Sequence, residues 1–393
     1  MNKLLLWVMS IGTALSVATI YLSQPLLDVL HTQFNSSLSE ISLIVTLTQI
    51  GYALGILLLV PIGDTVTKKK LIQIKLVGIT LMLLLAAFSQ TLPMFFVASL
   101  AIGIFATAAQ DFVPLAADLA PESERGKIVG TVMSGLLLGI LLSRTFSGIV
   151  AEHLGWRFVF FIAAALIILV LILTTILVPA HPPKVHLKYT KLIRSMGKLL
   201  IENPLLQLSI LTHGLIGIVF SSFWTVLTFH LSGAPFQLST AAIGLFGLAG
   251  AAGAVAAPIA GKLSDKKGPL LNIKFAILCI FLSFILMFLF QHSVIALIIG
   301  AIIFDLGVQI SLISHQAIIY SMNPHARARL NSLFVTGFFI YFSIGSFLGG
   351  FIFAHYGWSG VVYLSLICCI LSFLSHLVLA NKYKILVVNK SPF

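Results

Sequence analysis

The chain is a succession of long apolar runs separated by short polar, proline- and glycine-containing stretches. About 20 apolar residues in helical form cross ~30 Å of hydrocarbon. Twelve runs meet that length, at 4–28, 40–62, 71–89, 94–118, 127–151, 157–178, 205–231, 239–261, 270–290, 294–320, 329–354 and 359–380. We number them spans 1 to 12. The runs are continuous rather than alternating, which predicts helices and not a closed β-barrel. In lipid every backbone polar group must be satisfied within the spanning structure, and a helix does this segment by segment. The fold class that follows is an all-α polytopic membrane protein.

One connection is long. Between 179 and 204, Lys184, Lys188, Lys191, Arg194 and Lys198 alternate with Leu187, Leu192 and Leu199. That pattern reads as an amphipathic helix on anionic headgroups, or as a flexible linker held in place by its charge. The spans on either side echo one another. Arg125 recurs as Arg327, Gly148 as Gly350 and Trp156 as Trp358, each 202 positions on, and Asp64 recurs as Asp265 at 201. Two six-helix pseudo-repeats around a central cavity are therefore expected. The boundaries are 1–178 for the first bundle, 179–204 for the linker, 205–380 for the second bundle and 381–393 for a tail. Lys3 and the run after it could open a signal peptide. The apolar part is too long, and no small-x-small cleavage site follows, so it is read as a retained first span.

Composition agrees with the pattern. The chain is 59% apolar and 9% charged, against roughly 45–50% and 25% in soluble domains. A net charge of +12 raises nucleic acid as a partner, but location removes it. The basic residues cluster in alternate loops, at Lys68–Lys70, Arg125 and Lys127, 184–198, Lys262 with Lys266 and Lys267, Arg327 and Arg329, and 382–390. That is the positive-inside pattern, and it places both termini and the linker in the cytoplasm. Cys279, Cys368 and Cys369 lie inside apolar spans without ligand spacing, so no metal is expected. No G-x-x-x-x-G-K-[ST] motif occurs. Any work the protein does is therefore expected to be driven by gradients, unless a partner subunit supplies the energy, and no cofactor is expected.

Gly261-Lys262-Leu263-Ser264-Asp265-Lys266-Lys267-Gly268 resembles the cytoplasmic signature G-x-L-x-D-[RK]-x-G of the major facilitator superfamily. The first-half copy keeps Asp64 and the lysines but has Val60 and Thr67 where glycines belong. Further stretches, Tyr21 to Leu27, Gln49 to Gly55, Gly139 to Arg144 and Asp305 to Gln309, resemble a bacterial efflux-permease branch of the drug:proton antiporters. The resemblance implies a monomer in the bacterial inner membrane, with spans 1, 4, 7 and 10 lining the cavity. It also implies a cytoplasmic gate, for which Asp64, Lys68, Gly261, Asp265, Lys266, Arg125 and Arg327 are the candidates. The fifth span departs from the antiporter pattern G-P-x-x-G-G. Ile140 replaces its proline, and Ser143-Arg144 replace its last glycines.

Charges within a bilayer are costly and mark function by default. Asp111, Arg144, Asp305, His213 and His315 are such residues. At ~1.5 Å per residue, Asp111 lies about 10 Å from one end of span 4, and Arg144 about 10 Å from the opposite face along span 5. They are too far apart in depth to pair. Arg144 is level with Tyr21 and Gln24, and about a turn and a half from Asp305. Its expected partners are Asp305, or Gln24 together with a substrate carboxylate. Asp305, Gln309 and Gln316 share one helical face, a stripe fit to line water or a neighbouring helix. Asp305 reads either as a proton carrier or as a buried structural carboxylate, and Asp111 as a residue of a cytoplasmic vestibule with Thr107, Pro114 and Asp118. Tyr21 and Trp224 could stack on a substrate, or simply pack. An isolated histidine on an apolar helix is more often a packing residue than a relay.

The expected function is alternating-access transport of a small organic molecule, as proton-coupled efflux. Import or export of an anionic metabolite or siderophore-like chelator with Arg144 as counter-charge is the second reading, and a non-transporting membrane sensor or assembly partner is the third. No nucleophile–base arrangement suggests an enzyme.

Overall fold

The computed structural model describes residues 2–180, 189–250, 268–323 and 326–388, except for the side chains of Asp64 and 386–388. Among the described residues there is no strand, and nine helices are long and apolar enough to cross a membrane. The last of them, Arg327–Ile385, holds two spans divided at Gly357, whose φ of 61° no helix contains. Spans 1 and 8 complete the expected twelve as shorter pieces. Span 8 is described as Thr240–Leu245 and Phe246–Gly250 only.

Span 1 is not one helix. Lys3–Ala18 ends in turns at 19–23, a 3₁₀ turn follows at Gln24–Leu26, and Leu27–Phe34 resumes the helix. Pro25 lacks an N–H and its ring clashes with the carbonyl four residues back, so the helix breaks there. The expected continuous 4–28 span is thus corrected to two half-helices with irregular backbone at Tyr21 and Gln24. Span 4 also divides, into Leu92–Ala106 and Ala108–Leu119 at Thr107. The remaining starts and stops follow local chemistry. Ser37 and Glu40 form a reciprocal capping box at the head of Leu38–Leu58. Gly155, at φ 93°, ends Arg125–Leu154 and Trp156–Leu177 begins at once.

The surface is apolar where a soluble protein's is polar, and the interior holds hydroxyl groups beside its apolar core. Large apolar side chains such as Trp7, Leu81, Val97, Leu138, Ile176 and Ile295 are exposed, while Thr13, Thr48, Thr80, Ser99 and Ser311 are buried. Thr13, Thr48, Thr80 and Ser99 hydrogen-bond the carbonyl four residues back, which satisfies the hydroxyl within its own helix.

Packing divides the chain into two compact units. The first is Met1–Ile193 with Leu227–Leu248, and the second is Arg194–Val226 with Ala249–Phe393. In the first, small residues let backbones touch. A Cβ on Gly139 would lie 2.2 Å from the Ala14 carbonyl oxygen, and one on Gly103 2.0 Å from that of Thr48. Span 5 therefore lies directly on span 1, and span 4 on span 2. Gly139→Val is expected to lower thermal stability in detergent by about 1–3 kcal/mol. Gly130→Val, where nothing lies within 4 Å, should cost far less. Equal losses at the two sites would contradict backbone contact as the cause.

In the second unit, Phe223, Phe284, Phe304 and Trp358 interlock edge to face, with ring centroids 5.3–6.1 Å apart. Trp156 in the first unit meets Phe95 and Phe160 edge to face and Phe34 at a tilt. Each tryptophan follows a glycine at positive φ. Arg125 Nε donates to the Ala117 carbonyl and Arg327 Nε to the Tyr320 carbonyl. Both arginines tie down the C-terminal end of the preceding span, where a cation is favoured. The 202-residue echo is therefore one of local structure as well as of sequence.

Candidate functional site

The break in span 1 leaves carbonyls without helical partners, and side chains from other spans take them up. Ser147 Oγ donates to Leu22 O at 2.5 Å, and Thr228 Oγ1 to Gln24 O at 2.9 Å. Irregular backbone at membrane depth is tolerated only with such replacement bonds. The opened segment presents Gln24 and Tyr21 to span 5. Arg144 Nε donates to Gln24 Oε1 at 2.7 Å, and the guanidinium carbon sits 4.8 Å from the Tyr21 ring centroid. Arg144 is 3% exposed, Gln24 2% and Tyr21 5%. The amide oxygen and the aromatic face together orient the guanidinium. The structure brings these three residues together.

Span 5 is held on its other side by span 8. Thr145 Oγ1 donates to Gly244 O at 3.1 Å, and Glu152 Oε2 accepts from Ala241 N at 2.7 Å. A Cβ on Gly244 would be 2.7 Å from the Arg144 carbonyl, and one on Gly247 2.9 Å from Arg144 Cβ. Small residues at those positions are what allow Arg144 to sit between spans 1 and 8.

Asp111 lies elsewhere. Its Oδ2 is 2.5 Å from Lys75 Nζ in a pair whose side chains are 3% and 1% exposed. Beside it Gln110 Nε2 donates to Tyr52 Oη at 2.9 Å. Asp118, on the same face, is also in an ion pair, its Oδ2 2.7 Å from Lys68 Nζ. Lys75 is the residue that sequence reasoning passed over. The signal was available: a lysine five residues past the Lys68–Lys70 run, flanked by Ile74 and Leu76, has no water to reach.

In the second unit Asp305, Gln309 and Gln316 occupy the unbroken helix Val294–Met322. Asp305 is buried and Gln309 half-buried. Gln316 and Tyr320 both bond Asn331 Oδ1, at 3.2 and 3.0 Å. Trp224 is buried against Phe220 and Phe223. Of the gate candidates, Lys68, Arg125 and Arg327 make the contacts already given. Asp64 ends the 3₁₀ turn Pro61–Asp64, and Gly261, Asp265 and Lys266 lie outside the described residues.

The family model of the Major Facilitator Superfamily matches residues 9–309 and 274–388. The chain belongs to this superfamily. It is 40% identical over 365 residues to an uncharacterized transporter, YgaY, of Escherichia coli O157:H7, covering 92% of each chain. It is 26% identical over 212 residues to the multidrug resistance protein MdtG of Salmonella arizonae, covering 53% of this chain and 52% of that one. Among solved structures it resembles a bacterial homologue of the human lysosomal transporter Spinster, in an inward-facing and occupied conformation. The TM-score is 0.78 at 13% identity, over 96% of both chains. The protein is thus a multi-pass membrane transporter of the superfamily type, and its relatives are transporters rather than enzymes.

Proposed function

We propose that this transporter exports a small organic compound bearing an anionic group, in exchange for protons, across the bacterial inner membrane with both termini in the cytoplasm. The observation that carries the reading is the Arg144 cluster. A guanidinium buried at a broken helix and oriented by Gln24 and Tyr21 is an intramembrane charge, the kind of residue that marks a functional site by default. It gives a fixed fork suited to carboxylate, phosphate or sulfonate. Export against protons is supported by the resemblance of Tyr21 to Leu27, Gln49 to Gly55 and Asp305 to Gln309 to the efflux branch and by the partial match to a multidrug resistance protein. Import through the same site is the second reading, favoured by the same cation, since charge recognition has no direction.

The contacts of Thr145, Gly148 and Glu152 with span 8 are read as a latch at the periplasmic end, opposite the cytoplasmic gate residues Asp64, Lys68, Gly261, Asp265, Lys266, Arg125 and Arg327. Gly148 meets the Thr240 carbonyl, at 2.5 Å from an added Cβ. Gly148→Leu is expected to prevent this latch from forming and to reduce net flux at least tenfold while the protein still folds. Flux within twofold of wild type would contradict the latch. The reading as a whole is tested in proteoliposomes. Anionic, neutral and cationic candidates are presented with and without an imposed pH gradient, and accumulation of an anionic compound only with the gradient is expected. Gradient-independent movement, or cations alone, would contradict it.

A further inference from the structure

Two buried histidines in the second unit are used by nothing described so far. His213 of span 7 and His315 of span 10 are fully buried, with ring centroids 5.4 Å apart. Ser311, also fully buried, lies between them. His315 Nδ1 is 2.8 Å from the Ser311 carbonyl oxygen. A carbonyl only accepts, so this nitrogen is the donor, and in the neutral ring Nε2 carries the lone pair. Ser311 Oγ lies 3.0 Å from His213 Nδ1 and 3.3 Å from His315 Nδ1, linking the two rings. Both Nε2 atoms are buried with no hydrogen-bond partner among the described residues.

The aromatic faces around the pair are what favour a positive charge here. Phe334 stacks on both imidazoles, at 5.4 and 6.1 Å, and Phe338 stacks on His213 at 4.8 Å. Phenyl faces are attractive to a cation and give nothing to hold a neutral ring's lone pair. Two imidazolium ions at this separation would repel. The groups facing the pair limit it further. His376 of span 12 lies near His315, and Lys274 of span 9 near His376. Tyr341 of span 11 packs on Gly214 next to His213. Asp305 is on the same helix as His315, about 15 Å along it. No third His, Cys, Asp or Glu completes a metal set with the two among the described residues.

The pair is not part of the repeated scaffold. At the 202-residue offset His213, Ser311 and His315 correspond to Ile11, Ala109 and Val113. The first half has its own buried centre, Lys75–Asp111, where the second has Ile277 and Ile313. A pair of basic rings kept in one half only, with both Nε2 atoms unbonded among the described residues, is not accounted for by the repeated scaffold.

We propose that His213, Ser311 and His315 form a site for a single proton, shared by the two imidazoles, and that this is the coupling proton of the exchange proposed above. The inference rests on that exchange for its role. The proton adds to the lone pair of one neutral imidazole, making a single imidazolium, and Ser311, within reach of Nδ1 of both rings, links that ring to the other.

The test begins with the purified full chain in weakly buffered detergent. Proton uptake is followed with a pH-indicator dye as pH falls from about 8 to 5, the range of imidazole titration, with imidazole resonances of ¹⁵N-histidine-labelled protein as the site-specific readout. Wild type should take up one proton for the pair, with both rings responding in a single step. His315→Gln and His213→Gln should each move the remaining ring's response away from the wild-type step, the double variant should take up no proton there, and Ser311→Ala should let the rings respond separately. An unmoved step in His315→Gln, or two independent steps in wild type, would overturn the site. Should one of these variants fail to fold, Ser311→Ala with both rings present decides the same question. The second arm is proteoliposome flux with a pH gradient. Loss of gradient dependence in His315→Gln supports the coupling role, and retained dependence overturns it. Wild-type flux indifferent to the gradient would instead defeat the proton-exchange reading itself, whatever the dye records.

Discussion

Arg144→Lys is expected to transport at less than a tenth of the wild-type rate, although the charge is kept. A hydrogen bond to a charged group contributes about 1.5–3 kcal/mol, which at about 1.4 kcal/mol per tenfold is roughly 10- to 100-fold in binding. The ammonium of lysine is a point charge without the planar fork. It loses the Nε bond to Gln24 and the flat contact on Tyr21 together. Arg144→Gln removes the charge as well and should be inactive toward anionic compounds at any concentration tested. Gln24→Leu provides the complementary measurement. It leaves the cation but strips its orienting acceptor, so affinity should fall about tenfold while the protein remains folded. Proteoliposome flux measured against concentration separates these cases. Arg144→Lys working at wild-type affinity would show that the fork is not what the substrate meets.

The second large effect concerns stability. Removing one member of a buried ion pair leaves the other charge without compensation, at a cost of about 3–5 kcal/mol, whereas replacing both by apolar residues is often neutral. Lys75 and Asp111 meet these conditions, with Nζ and Oδ2 2.5 Å apart and almost no exposure of either side chain. Lys75→Met or Asp111→Leu alone should strongly lower thermal stability in detergent. The double substitution should recover most of the loss. The second half, with Ile277 and Ile313 at the equivalent positions, indicates that the fold accommodates an apolar pair there. Single substitutions with no effect would contradict the pairing. A stable double variant that no longer transports would mean that the pair is needed for movement and not for folding.

Much of this was legible in the sequence because a bilayer leaves few solutions. Apolar length gave the spans, and the lysine and arginine loops predicted their alternation. The offset between Arg125 and Arg327 and between Trp156 and Trp358 marked a repeat whose local geometry matches in both halves. Helical rise alone brought Arg144 to the level of Gln24. What escaped was set by tertiary contact. Pro25 announced a break, but only Ser147 and Thr228 reveal how the freed carbonyls are satisfied. Asp111 was visible as a charge, yet its partner sits 36 residues back on span 3, and no periodicity links the two. His213 and His315 looked like isolated packing residues because they are 102 positions apart. Only the fold brings Ser311 between them.

The account stands most directly on one measurement, made on wild type and Arg144→Gln side by side. Proteoliposomes carrying an internal pH dye are given an anionic compound from the flux screen, and proton movement is recorded with compound movement. Wild type should move protons and compound in opposite directions and in fixed proportion, and Arg144→Gln should move neither. Equal coupled flux in Arg144→Gln would contradict the central claim that this buried arginine recognises what the carrier transports.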